Sequence, residues 1–150
     1  MTPAELARIR RIVELRAAQL RIAESAHARD AAASERARQE ETDALQAVDD
    51  AADAASVSGR AGTAIDDLVE ARLRVAFLSR LAAERTRSAG VAEATRRASN
   101  ARLQVSNRTS EQMKTWLDGA HSELRVREER RDDALRDDLA ARRAATKEPT

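Results

Sequence analysis

The chain has 150 residues, 42% of them hydrophobic but only 1% aromatic, and alanine supplies much of that hydrophobic share. A thick globular core is therefore not expected, because large core-filling side chains are scarce. Its 27 basic and 26 acidic residues are interspersed and give a formal charge of +1, which implies neither a nucleic-acid-scale basic face nor a disordered acidic tail.

There is no cysteine, so no disulfide framework and no thiolate chemistry is available. No apolar run approaches the roughly 18 residues of a membrane span, and the N-terminus lacks a signal-peptide core, so the expectation is a protein that stays inside the cell. Proline is absent between Pro3 and Pro149, and strand signals are lacking. The predicted fold class is all-α: a long antiparallel two-helix coiled-coil hairpin with a C-terminal helical overhang, forming a single rod.

Thr2-Pro3-Ala4-Glu5 reads as a helix start, with a threonine cap, proline at the first helical position and a glutamate placed to return a bond to the cap. Helix one is predicted from about Pro3 to about Ala55. Leu6, Ile9, Val13 and Leu20 form its first apolar stripe, and Ile12, Leu15 and Ile22 widen it. Beyond Ile22 the apolar positions shrink to Ala23, Ala26, Ala31 and Ala37, until Leu45 and Val48 restore larger side chains. A seam of alanines lets a partner helix approach closely but buries little area.

The break is Ser56 to Thr63, where Gly59 and Gly62 offer the positive φ that a reversal needs. Thr63 and Asp66 have capping-box spacing for the next helix. Helix two is predicted from about Ala64 to about Thr146, with Gly90 and Gly119 as candidate kinks. It opens on the densest apolar run of the chain, Ile65 to Leu81, which holds the only phenylalanine, Phe77. The seam then continues thinly through Ala89, Ala92, Leu103, Met113, Leu117 and Leu124.

A fold-back centred on this break pairs residues whose numbers sum to about 121, placing Leu45 and Val48 beside Leu73 to Phe77. The same register sets Leu6 to Ile22 against Leu103, Val105, Met113, Trp116 and Leu117. It also faces the acidic run Glu35 to Asp53 with Arg72, Arg74, Arg80 and Arg85. Asp118 to Thr146 then overhangs, carrying Glu123 with Arg127, Asp132 with Arg136, and Asp138 with Arg142 at the helical four-residue spacing. Leu124, Leu135 and Leu139 leave a thin stripe there that suits a second protein.

No arrangement of residues points to catalysis. A two-helix hairpin offers no water-excluding concavity, His27 and His121 have no second ligand at metal-binding spacing, and no phosphate or dinucleotide loop is present. No cofactor, metal or nucleic-acid partner is expected, and the predicted protein is not an enzyme.

A first helix of this length, a Ser/Gly break, a second helix opening with Phe77-Leu78-x-x-Leu81 and an arginine- and acid-rich tail together resemble the FliJ-type flagellar export proteins. Those are related to the YscO-type stalks of type III secretion systems. The resemblance covers most of the chain and implies a non-enzymatic stalk of an export apparatus, cytoplasmic and peripherally associated with the inner-membrane machinery. The implied partners are a hexameric export ATPase, the cytoplasmic domain of the export gate and export chaperones, with the chain itself a monomer when alone and not inserted into the membrane.

Carried over by position, the gate-binding face falls on Leu45, Val48, Ala52, Phe77 and Leu81; the family places aromatics where this chain has Leu45, Val48 and Ala52. The end inside the ATPase ring falls on Arg8, Arg11, Arg125, Arg127, Arg131, Leu135 and Leu139. The alternatives are a coiled-coil scaffold or homo-oligomerisation module, and a peripheral membrane-surface protein using the Leu6 to Ile22 helix.

Overall fold

The computed structural model describes residues 2–61 and 64–145. It is an all-α hairpin of two helices, α1 (Pro3–Arg60, 58 residues) and α2 (Ile65–Ala145, 81 residues), with no strand among the described residues. Alanine, leucine, arginine and glutamate lose little on entering a helix, and neither helix has an interior proline to break it. The start of α1 has the predicted capping box: the Glu5 amide donates to Thr2 Oγ1 at 3.3 Å, and the Thr2 amide donates to Glu5 Oε2 at 2.6 Å. That bond to the Thr2 backbone is the main reason the Glu5 carboxyl lies below its ordinary pKa.

Two compact units make up the chain. One, here the terminal unit, joins α1 up to Arg21 with α2 from Val105 onward; the other, the turn unit, spans Ile22–Gln104.

In the turn unit, α1 does not stop at Ala55. Ser56 to Arg60 stay helical, with Ser56 Oγ donating to the Asp53 carbonyl at 2.9 Å and the Ala61 amide reaching the Val57 carbonyl at 3.1 Å. Gly59 is a helical residue without positive φ, so it does not make the reversal. Gly62 and the Thr63 capping box lie outside the described residues. Because the turn comes later than expected, facing residue numbers add up to about 126 rather than 121, as His27 with Ser99 does. Ser34 with Glu93, and Gly59 with Leu68, agree within a residue or so.

This register changes which residues meet. Covered positions of the unit repeat at alternating steps of three and four: Ala44, Val48, Ala51 and Ala55 on α1, and Leu68, Ala71, Val75, Leu78 and Ala82 on α2. Leu73 and Phe77, expected beside Leu45 and Val48, are 65% and 66% exposed. Of that stretch only Val75 enters the seam, and Leu78 joins it, because a five-residue shift of register brings a different face of α2 round by about 140°. Of the expected charge pairing, Arg85 does meet Glu40 of the acidic run.

In the terminal unit the stripe Leu6, Ile9, Val13 and Leu20 is covered, as are Met113, Leu117, Ala120 and Leu124 of α2. Ile12 and Leu15 do not widen it; they are exposed, as are Val105 and Trp116, and Ile22, the first residue of the turn unit, is exposed as well. Beyond Leu124 every residue from Arg125 to Arg143 is exposed, so the overhang is helical and uncovered. Asp138 pairs with Arg142 there at 3.2 Å, while Arg136 takes Asp133 in place of the expected Asp132.

Three positions carry an avoidable cost. Gly90 and Gly119 sit inside α2 with ordinary φ, and an added Cβ would meet nothing within 4 Å. Ser110 is 2% exposed, with its hydroxyl unpaired. Gly90→Ala and Gly119→Ala should each stabilise by roughly 0.5–1 kcal/mol, and Ser110→Ala by about 1 kcal/mol through loss of a desolvated hydroxyl. Thermal unfolding followed by circular dichroism checks all three; a lowered midpoint at either glycine would mean that α2 bends there in solution.

Candidate protein-binding surfaces

The most highly bonded group of the turn unit is the Glu93 carboxylate, whose side chain is 16% exposed. Glu93 precedes Arg96 and Arg97 by three and four residues, so helical geometry alone sets both guanidinium groups beside it. Arg96 binds it through two nitrogens, Nε to Oε2 at 2.9 Å and Nη2 to Oε1 at 2.8 Å, and Arg97 Nε donates to Oε1 at 3.1 Å. From α1, Ser34 Oγ donates to Oε2 at 3.1 Å and Arg38 Nη2 at 2.9 Å. The Arg96 bonds above all, then those from Arg97 and Ser34, hold the Glu93 carboxyl far below the ordinary carboxylate range against the opposing effect of burial. The same contact raises the Arg96 guanidinium.

About two helical turns further along, His27 Nδ1 lies 3.2 Å from Ser99 Oγ. The Ser99 hydroxyl already donates its single hydrogen to the Arg96 carbonyl, so His27 Nδ1 is the donor. This polar stretch is a clasp between α1 and α2. It gathers three guanidinium groups on one carboxylate, and among the described residues no group of three or more histidines, cysteines or carboxylates is placed to hold a metal. The sequence reading passed over it, although the spacing Glu93-x-x-Arg96-Arg97 is visible in the chain.

Apolar surface also lies outside the seam. On α2 of the turn unit, Ile65, Val69, Leu73 and Phe77 follow one another at four-residue steps and are 78%, 52%, 65% and 66% exposed. Leu81 continues this ridge and is half-buried. The five residues expected to share one gate-binding face fall on different sides. Leu45 and Val48 line a shallow groove with Ser79, Ala82, Ala83 and Thr86 of α2, and Ala52 is exposed one turn on from Val48. Phe77 and Leu81, each two residues from Ser79, stand about 200° round the helix from it and do not line that groove.

In the terminal unit, Arg8 and Arg11 are exposed near the start of α1. Arg10 Nη2 lies 3.4 Å from His121 Nε2, and the Arg127 charge bears on Glu5, so this stretch of α1 runs alongside α2 from His121 to Arg127. Arg125 and Arg127 therefore stand near the first turns of α1, whereas Arg131, Leu135 and Leu139, the leucines 55% and 56% exposed, lie beyond them on the uncovered helix. Trp116, 54% exposed, borders a groove with Arg108, Gln112 and Gly119 on one side of α2. No helix among the described residues is long and apolar enough to cross a membrane.

Comparison with family models, with curated proteins and with solved structures gives no match.

Because the folded carboxyl is depressed, the Glu93 clasp contributes its full stability above the ordinary glutamate pKa of about 4.3 and loses it as pH falls below that value. Glu93→Gln should therefore lower the thermal midpoint by a few degrees at neutral pH, with the gap from wild type closing as pH is lowered from about 5 to about 2. A gap that stays constant over this range would show that the carboxylate charge contributes nothing.

Proposed function

We propose that this chain is a non-enzymatic protein-binding hairpin, and that its working assembly is a type III export apparatus, flagellar or related. The observation that carries the binding reading is the uncovered end of α2. From Arg125 to Arg143 the chain is helical and exposed throughout, and Leu135 and Leu139 form a short apolar stripe among alternating charges. An amphipathic helix that nothing in its own chain covers is the form in which helices enter grooves of other proteins.

The export assignment rests on the layout shared with FliJ-type proteins: hairpin, Phe77-Leu78-x-x-Leu81 after the turn, and a charged helical tail. In this reading Arg8, Arg11, Arg125, Arg127, Arg131, Leu135 and Leu139 meet the export ATPase ring. Phe77 and Leu81 meet the export gate, and Leu45, Val48 and Ala52 offer a second contact on another side. A two-helix element inside a six-fold ring contacts the subunits unequally and so favours one arrangement of them over the others. The protein would act in the cytoplasm, at the periphery of the membrane machinery.

The test is ATP hydrolysis and ring assembly by the export ATPase of the same organism, with the full chain and with a chain ending at Leu124, which keeps the covered seam intact. The full chain should bind and stimulate several-fold; the shortened chain and the Leu135→Asp, Leu139→Asp double variant should not. If the full chain neither binds nor stimulates, the export assignment falls.

A further inference from the structure

The apolar ridge Ile65, Val69, Leu73 and Phe77 stands outside the seam of the turn unit, which holds Val48, Leu68, Val75 and Leu78 among alanines and serines. Four large side chains at four-residue steps form one of the ridges by which helices pack, and all four are more than half exposed. We infer that this ridge is the contact between two copies of the chain, laid antiparallel on each other about a two-fold axis near Leu73. The inference does not depend on the export reading, and it replaces the monomer expected from the family resemblance with a reversible dimer.

Charge arrangement selects a second copy as the occupant. On the outward face Asp66 precedes Leu73 and Arg80 follows it, while Asp67 and Glu70 lie toward α1 and Arg85 is held by Glu40. A two-fold contact requires a surface complementary to itself. Turning this segment end for end about Leu73 places Val69 against Phe77 of the other copy and Asp66 against its Arg80, and symmetry makes each contact twice. Asp66 and Arg80 are both exposed and lie one heptad to either side of Leu73, on the same outward face. Parallel pairing would instead set acid on acid and arginine on arginine. Arg74 does not disturb the match, because it lines a groove with Asp50, Asp67 and Glu70 on the side toward α1.

The test uses the full chain in sedimentation equilibrium and light scattering from micromolar to millimolar concentration. The wild type should show a concentration-dependent monomer–dimer equilibrium. Leu73→Asp should raise its dissociation constant at least about tenfold while helicity by circular dichroism is kept, since Leu73 lies outside the seam. Asp66→Arg and Arg80→Asp should each weaken the dimer by roughly threefold to tenfold, and the double variant should recover the wild-type constant. A monomer at every concentration, a dimer indifferent to Leu73→Asp, or a double variant no better than the single ones would each overturn the inference. The chain ending at Leu124 should dimerise like the full chain, so a failure of ATPase binding and a failure of dimerisation are read separately.

Discussion

A helix in a hairpin has one neighbour, and one neighbour covers only one stripe of its surface. That constraint governs this molecule. Along both helices the covered positions step by three and four residues, and whatever apolar surface a helix carries beyond that stripe stays in solvent. Much of the stripe is alanine and serine: Ser34, Ala82, Ala89 and Ser99 are buried in the turn unit, and Ser110 and Ala120 in the terminal unit, where Ile9 is the one large buried side chain among the described residues. Small residues allow the backbones to come close and bury modest area. Many of the larger apolar residues, Leu73, Phe77 and Trp116 among them, are left on the outside.

A seam of small, similar residues discriminates poorly between registers, since sliding one alanine past another changes little. The polar contacts make the distinction. Glu93 accepts bonds from Ser34 and Arg38 across the seam while Arg96 and Arg97 hold it from its own helix, and His27 is bonded to Ser99 about two turns away. A displaced register would leave these groups without their partners in a partly covered site, so polar residues that add little to burial contribute specificity. The contact of Arg85 with Glu40 acts in the same sense at the exposed edge.

The exposed surfaces divide in the same way. The last turns of α2 are exposed on every side, whereas the ridge from Ile65 to Phe77 is uncovered because it lies on the side of α2 away from the seam. The first presents a single helix to a groove in another protein. The second presents a helix face whose charges reverse across Leu73, an arrangement that suits a like face turned end for end.

The sequence by itself determined the all-α class, the helix start at Thr2-Pro3-Ala4-Glu5, the seam residues Leu6, Ile9, Val13 and Leu20, and the later positions from Ala89 to Leu124. These follow from local chemistry and helical period, which operate within one helix. It did not determine the register, because the turn signals at Ser56 to Gly62 permit more than one place to reverse and each residue of delay moves the pairing by two. Only the tertiary structure decided that α1 continues to Arg60, and with it that Val75 and Leu78 enter the seam while Leu73 and Phe77 remain outside. The candidate site was half legible for that reason: an apolar run shows in the sequence, but which side of it meets the partner helix depends on where the other helix stops.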